Sequence, residues 1–181
     1  MFSHIINSKT HLKLNDLKYA KDIFNLIQIS RDYLREWLPW VDTNTSIRDT
    51  ESFIRSTLQG YANRTSLNTV IFYEGNVAGV AGFNEIDWNN RIAYIGYWLG
   101  QPYQGNGIMT KVCEALTEYA FRELELNKVD IRAAEKNLRS RRIPERLDFK
   151  QEGTIRSAEW INDHYVDHVV YGMLKNEWKG K

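Results

Sequence analysis

The spacing of apolar residues changes along the chain, and the changes predict both helices and strands. Residues 9–14 alternate between apolar and polar, which indicates a first strand. Apolar residues then recur every three or four positions over 17–27, as on one face of a helix. A second helical stretch over 33–40 breaks at Pro39, and a further helix opens at Thr50.

The middle of the chain predicts strands that turn back on one another. Residues 69–99 read as three consecutive antiparallel strands, with Gly75 and Asn76 forming a type II′ turn between the first two. A long amphipathic helix over 108–124 follows a glycine-containing loop. The remaining segments predict a strand over 128–134, a helix over 137–147, and strands near 149–153, 158–161 and 165–174. This order indicates an α+β protein with a mixed sheet, not a doubly wound parallel sheet.

Composition narrows the class of protein. The sequence has 181 residues, and 43% of them are hydrophobic. This length and composition predict one domain over residues 1–181. Lys and Arg number 24 against 23 acidic residues, and this balance argues against nucleic acid or a membrane surface as a partner bound by bulk charge. The single cysteine, Cys113, excludes an intrachain disulfide or a cysteine-cluster zinc site. The first residues lack the pattern of a secretory signal, so a cytoplasmic location is expected.

The strand-to-helix connection at residues 94–110 carries the clearest chemical signal. Gly105 and Gly107 stand just before the long helix, where exposed backbone N–H groups and the helix dipole suit a phosphate. Taken alone, the glycines fit a simple connector better than a phosphate site. Thr110 occupies the third glycine position of a dinucleotide fingerprint, and the chain contains no Walker loop.

A cationic run follows the 128–134 strand. Its members are Lys136, Arg139, Arg141 and Arg142. They form either a solvated face or a clamp for a second, distal phosphate. Within the same segment, Asn137 is a candidate helix cap and Ser140 a first-turn residue.

Two segments together resemble a known family. Residues 104–110, Gln-Gly-Asn-Gly-Ile-Met-Thr, are similar to the acetyl-CoA pyrophosphate loop Q/R-x-x-G-x-G/A of the GCN5-related N-acetyltransferases, the GNAT family. Residues 137–149 resemble its second signature, N-x-x-S-x-x-(hydrophobic)-x-E-(K/R)-L-G-F. Residues 37–40, 95–99 and 168–171 are similar to the RimL/RimJ-type branch, which acetylates ribosomal-protein N-termini, and to its YdaF-like relatives. Within these two segments, the sequence departs from the family signatures only at Met109 and Asp148.

The resemblance implies a fold and a cofactor. The fold is a mixed, mostly antiparallel central sheet of about seven strands flanked by about four helices, with two central parallel strands splayed apart. The cofactor is acetyl-CoA, whose pantetheine arm would lie in the splay. The implied cofactor-binding residues are Tyr97, Trp98, Leu99, Gln104, Gly105, Asn106, Gly107, Ile108, Met109, Thr110, Asn137, Arg139 and Arg142.

The implied reaction is direct attack of an amine on the acetyl carbonyl. It needs donors for the developing oxyanion, assigned here to a backbone N–H near Leu99, and a proton for the leaving thiolate, assigned to Ser140. Many relatives carry a glutamate at the position of Tyr94, so Glu85 becomes the candidate base. Glu85 equally fits a solvated acid at a strand end, and the reaction can also proceed without a dedicated base.

Two classes of function remain open. The leading hypothesis is an N-acetyltransferase acting on a protein N-terminus or a small amine, with Tyr33, Trp37 and Trp40 around the acceptor, although these three also suit a core. The alternative is a non-catalytic acyl-CoA sensor, which the loss of the glutamate at Tyr94 favours. No metal is expected. A symmetric homodimer is expected through exposed aromatic residues near Trp160.

Overall fold

The computed structural model of the chain describes residues 3–180. Its strands are β1 (Ser3–Ile5), β2 (Thr10–Leu14), β3 (Leu67–Tyr73), β4 (Asn76–Asp87), β5 (Ile92–Leu99), β6 (Lys128–Ala134), β7 (Lys150–Ile161) and β8 (His164–Leu174). Its helices are α1 (Ala20–Ile29), α2 (Arg31–Leu34), α3 (Ile47–Ala62), α4 (Ile108–Arg122) and α5 (Leu138–Arg146). The described residues thus add one strand and one single-turn helix to the expected counts.

All eight described strands form one sheet, in the order β1-β2-β3-β4-β5-β6-β8-β7. Every pairing is antiparallel except that of β5 with β6. The predicted α+β class with a mixed, mostly antiparallel sheet is therefore confirmed.

Helices cover both faces of the sheet because strand side chains alternate between the faces. On one face, Ile95 of β5 packs in a buried cluster with Val112 of α4 and Ile143 of α5. On the other, Trp98 of β5 packs in a second cluster with Ile23 of α1 and other apolar residues of α1 and α3. Strand β5 therefore contributes to both layers of core, which places its carboxyl end between them.

The parallel pair β5–β6 separates partway along its length. The register runs from Ile92 opposite Lys128 to Ile95 opposite Ile131 and ends there, although both strands continue. The N–H of Gly100 donates to the carbonyl of Ala78 on the β4 side. Since successive N–H groups of a strand point to opposite sides, those of Tyr97 and Leu99 face the gap left by β6. The splay implied by the resemblance is present.

Local details differ from the sequence prediction in several places, and the strands expected near 149–153 and 158–161 form the single strand β7. The β3–β4 turn is formed by Glu74 and Gly75, with φ of 47° and 85°, and not by Gly75 and Asn76. Two positive φ values correspond to a type I′ turn, which matches the twist of a hairpin. Helix α3 begins earlier than Thr50, because Ser46 and Asp49 form a capping box.

The segment 33–40 is not one continuous helix. Helix α2 ends at Leu34, and Pro39 opens a separate 3₁₀ turn, Pro39–Asp42. The fixed φ of proline favours the start of a helical turn and opposes its interior. Further along, Asp148 occupies the glycine position of the second signature and takes φ of 61°. Aspartate tolerates this left-handed conformation better than most side chains.

Candidate active site

The loop between β5 and α4 is built by two glycines in the left-handed region. Gly105 has φ of 77° and Gly107, which caps α4, has φ of 68°. A Cβ added at either position would meet nothing within 4 Å, so glycine is needed here for its backbone conformation and not for space. The Asn106 side chain donates to the carbonyls of Tyr103 and Gln104, at 3.1 and 3.2 Å, and stabilises this shape.

The same loop leaves a run of backbone donors without protein acceptors. Within residues 3–180, none of the six N–H groups from Gly105 to Thr110 donates to a protein atom. They lie at the N-terminus of a 15-residue helix, where the dipole favours negative charge. The phosphate interpretation of the loop is therefore favoured over that of a simple connector, because unpaired donors at a helix start suit an anion.

The first turn of α5 forms the opposite wall. The Asn137 side chain accepts from the Ser140 N–H at 3.1 Å and so caps the helix, as its sequence position predicts. The Arg139 guanidinium donates to the Gln104 side-chain oxygen at 3.1 Å, which joins this wall to the glycine loop. A contact of Asn137 with the cofactor stays a prediction.

A hydroxyl pair lies at the base of the splay. The Ser140 Oγ and the Tyr97 hydroxyl are 3.1 Å apart, and the Tyr97 hydroxyl is also 3.1 Å from the Ser140 backbone oxygen. Burial raises the pKa of the Tyr97 phenol well above its usual value, so the phenol stays protonated. The pair connects β5 to α5 across the point where β5 and β6 diverge.

These elements enclose a cavity of about 900 Å³. Of the residues named from the sequence, it is lined by Tyr33, Trp37, Tyr97, Trp98, Leu99, Gln104, Gly105, Asn106, Gly107, Ile108, Met109, Thr110, Asn137, Arg139, Ser140 and Arg142. Every cofactor-binding position that the resemblance implies thus meets in one cavity, together with Ser140 and two of the three acceptor candidates.

The cationic side chains that line the cavity are not the same set as the four that lie close together in the sequence. Arg141 does not line the cavity, because its guanidinium donates to the Tyr171 hydroxyl at 2.8 Å and to the Glu135 carbonyl at 2.9 Å. Its expected place at a distal phosphate is therefore wrong. The cavity instead gains Lys111 of α4 and Arg146 of α5, which sequence reasoning missed. Lys111 lies one residue beyond the loop signature, and helical spacing from Arg139 and Arg142 could have indicated Arg146.

Three sequence candidates lie outside the cavity lining. Trp40 is 37% exposed, and its ring lies 6.0 Å from that of Trp98, which does line the cavity. Glu85 is exposed on β4 and pairs in register with Tyr94, whose ring lies 5.3 Å from the Arg132 guanidinium carbon. Their roles stay predictions.

The cavity's charge suits a polyanion. The charged side chains of its lining are those of Lys111, Glu114, Arg139, Arg142 and Arg146. Among residues 3–180, no group of three or more His, Cys, Asp or Glu side chains is placed to hold a metal ion. Cys113 is fully buried, and burial raises the pKa of its thiol, consistent with the role of a small core residue.

Comparisons with known proteins agree with this geometry. Residues 11–150 match the family model of the acetyltransferase (GNAT) domain. YdaF of Bacillus subtilis (strain 168), whose name assigns it provisionally to the ribosomal N-acetyltransferases, is 37% identical over 183 residues and covers all of both chains. The chain belongs to the GNAT acetyltransferases. It is an acetyltransferase of this family, and its α+β sheet is the GNAT fold.

Solved GNAT structures extend the comparison to the cofactor. RimL, a ribosomal α-N-protein acetyltransferase solved with coenzyme A, has a TM-score of 0.92 at 26% identity and aligns over 96% of this chain and 98% of its own. A microcin self-immunity acetyltransferase, MccE, solved with acetyl-CoA and AMP, has a TM-score of 0.91 at 30% identity, covering 96% and 97%. Acetyl-CoA is the cofactor of this GNAT protein, and the six free N–H groups and cationic lining fit its phosphates. None of the described helices is long and apolar enough to cross a membrane.

Proposed function

We propose that this acetyltransferase modifies the α-amine of a protein N-terminus, of the ribosomal-protein type. The observation that carries the proposal is full-length similarity to YdaF, supported by the close structural match to RimL. Tyr33 and Trp37 line the cavity and offer an aromatic wall against which a peptide end can pack. Small amines remain a second acceptor class, because the same wall suits them.

The cofactor site is divided between backbone and side chains in this proposal. The N–H groups from Gly105 to Thr110 bind the pyrophosphate, and the backbone of Tyr97 and Leu99 pairs with the pantetheine arm. Bound acetyl-CoA supplies a thioester: a C–N bond forms as the C–S bond breaks, nitrogen loses one proton and sulfur gains one. The Leu99 N–H donates to the oxygen on which negative charge develops.

The proton steps fall to two side chains. Ser140 lines the cavity and donates its hydroxyl proton towards the departing sulfur, and it regains a proton from solvent. Glu85 is exposed and does not line the cavity, so we assign it the base role through an intervening water.

A thiol-release assay with an acceptor panel tests the function. The panel contains peptides with a free N-terminus, the same peptides with a blocked N-terminus and an internal lysine, small polyamines, and an aminoacyl nucleotide. We expect release of CoA only with free peptide N-termini, and acetylation of that amine by mass spectrometry. Binding of acetyl-CoA without turnover of any acceptor would instead support the alternative, a non-catalytic acyl-CoA sensor.

The role of Glu85 is tested through the pH dependence of the rate. If Glu85 is the base, Glu85→Gln lowers kcat and removes the acidic limb of the profile. Glu74→Gln is the matched control, because Glu74 is an acid on the neighbouring hairpin that pairs with Lys9. An unchanged acidic limb in Glu85→Gln would return Glu85 to the role of a solvated strand-end residue.

We further propose that two copies associate through the β7–β8 hairpin. Trp160 and Tyr165 stack edge to face there, with ring centroids 4.8 Å apart, and are 53% and 62% exposed. A symmetric homodimer would bury both rings, so Trp160→Ser should shift the sedimenting mass to that of a monomer. A monomeric wild type across the micromolar range would contradict this.

The domain organisation and the cellular compartment are proposed on the same grounds. Residues 1–181 act as one acetyltransferase domain, which the continuous described sheet supports. The relatives' ribosomal-protein names support the cytoplasm as the compartment. Fractionation of cells producing the protein at its natural level tests the latter.

A further inference from the structure

A proline inside α5 removes a backbone donor at the cavity wall. In an α-helix the carbonyl of each residue accepts from the N–H four positions on. The residue four positions after Ser140 is Pro144, which lies inside α5 and has no N–H. The Ser140 carbonyl therefore lacks its ordinary helical partner.

The Tyr97 hydroxyl takes the place of that donor. It reaches from β5 to within 3.1 Å of the Ser140 carbonyl oxygen. A carbonyl only accepts, so the single phenol proton must point at it. The phenol oxygen is then left as an acceptor, and the Ser140 hydroxyl, also 3.1 Å away, must be its donor. The direction of both hydrogen bonds follows from the carbonyl, which can only accept, and Pro144 leaves that carbonyl without a competing helical donor.

We propose that Pro144 and Tyr97 act together as positioning residues that hold the Ser140 hydroxyl in one rotamer at the cavity wall. The inference rests on the role given to Ser140 in the proposed function. With its oxygen held in place, the hydroxyl can turn its proton from the phenol to the sulfur by rotation about the Cβ–Oγ bond alone. The hydrogen bond from Ser140 to the phenol and then the serine O–H bond break in this step, no covalent bond of Tyr97 or Pro144 breaks, and burial keeps the phenol protonated.

The arrangement also explains why a proline is tolerated in the interior of a short helix. Pro144 is buried, and α5 has only nine residues. The missing hydrogen bond is therefore a large share of the backbone hydrogen bonds of this helix. The Tyr97 hydroxyl restores that bond from outside the helix. A tyrosine at this position therefore links the stability of α5 to the geometry of Ser140.

The test compares Tyr97→Phe and Pro144→Ala, each alone and each combined with Ser140→Ala. Turnover is measured with acetyl-CoA and a peptide bearing a free N-terminus and, without acceptor, as the hydrolysis of acetyl-CoA. Tyr97→Phe removes the acceptor for the serine hydroxyl, and Pro144→Ala supplies a helical N–H that competes with the phenol for the Ser140 carbonyl. We expect each to lower kcat by about 10-fold, less than the ~100-fold low end for loss of a general acid, with KM for acetyl-CoA within about 2-fold of wild type.

Non-additivity is the decisive readout. In the Ser140→Ala background, Tyr97→Phe and Pro144→Ala should change kcat no further, since the hydroxyl they position is absent. Tyr119→Phe, a half-buried tyrosine of α4 outside the cavity lining, should leave kcat unchanged. Thermal unfolding of each variant identifies any loss that comes from unfolding alone.

The failures are distinguishable. If Ser140→Ala leaves kcat unchanged, the serine role in the proposed function is wrong. If Ser140→Ala lowers kcat but Tyr97→Phe and Pro144→Ala do not, or if their effects add to it, only the positioning inference is overturned. Because Tyr97→Phe removes one oxygen atom, it tests the inference even if Pro144→Ala fails to fold.

Discussion

The two walls of the cavity are built from different kinds of group. The glycine loop from Gln104 to Thr110 presents backbone N–H groups that have no protein acceptor within the described residues. The first turn of α5 presents side chains that already have partners: Asn137 caps the helix, Arg139 contacts Gln104, and Ser140 contacts Tyr97. The loop is thus ready for an anion, whereas the α5 wall acts through a network within the protein. Changes in the loop should therefore affect binding, and changes at Ser140 should affect turnover.

The sharpest test of the loop places a carboxylate in it. Gly107→Glu puts a negative charge among the free N–H groups and a side chain at φ of 68°, so CoA affinity should fall by at least ~100-fold. Isothermal titration calorimetry measures the affinity. Gly75→Glu is the matched control, since it has the same kind of backbone strain at φ of 85° in the β3–β4 turn and should bind CoA normally. Wild-type affinity in Gly107→Glu would show that the loop does not bind the phosphates.

On the α5 wall the expected effect is on rate. Ser140→Ala should lower kcat by roughly 100-fold, near the low end for general acid catalysis, because a thiolate with a pKa near ~8.5 leaves readily. CoA affinity should change little, because the loop N–H groups and the cationic side chains of the cavity stay available to the phosphates. Steady-state kinetics and calorimetry on the same preparation separate the two quantities. A loss of affinity equal to the loss of rate would break the division between the walls.

Two neighbouring arginines of α5 separate a cation that lines the cavity from one that is bonded within the protein. Arg142→Ala removes an exposed cation that lines the cavity and should weaken CoA binding by about 3–10-fold, with a smaller effect at high salt. Arg141→Ala removes the cation bound to Tyr171 and Glu135, so it should lower the melting temperature and leave CoA affinity unchanged. Equal affinity losses in the two variants would indicate a diffuse positive field instead of a defined contact.

The smallest expected effect concerns stability at alkaline pH. Burial raises the pKa of Tyr97 in the folded protein above its unfolded value near 10.0, so the folded state keeps a proton that the unfolded chain loses. The contribution of Tyr97 to the free energy of unfolding is fully present below about pH 10. Above it the contribution falls by about 1.4 kcal/mol per pH unit, until the pH reaches the pKa of the folded state. Tyr97→Phe should therefore have a lower free energy of unfolding than wild type near neutral pH. In urea unfolding experiments this difference should shrink above about pH 10. Tyr61→Phe, at an exposed tyrosine of α3 away from the proposed dimer surface, is the control for removal of a hydroxyl.

Much of the loop was predictable because its signal is local. Glycines directly before an amphipathic helix define both the left-handed backbone and the free donors, and neighbouring residues in sequence remain neighbours in space. The cap at Asn137 follows the same rule. The hairpin turn was placed one residue late because Glu74, a residue with little preference for positive φ, occupies its first central position.

The sequence by itself determined the α+β class, the glycine loop and the family, since each depends on periodicity or on short contiguous motifs. Tertiary structure decided which arginines face the cavity, because Arg141 and Arg142 are adjacent in sequence yet point to different partners on a helix. It also decided that Tyr97, 43 residues from Ser140, donates to the one carbonyl that Pro144 leaves without a partner. Contacts of this kind depend on the packing of β5 against α5, which no local pattern records.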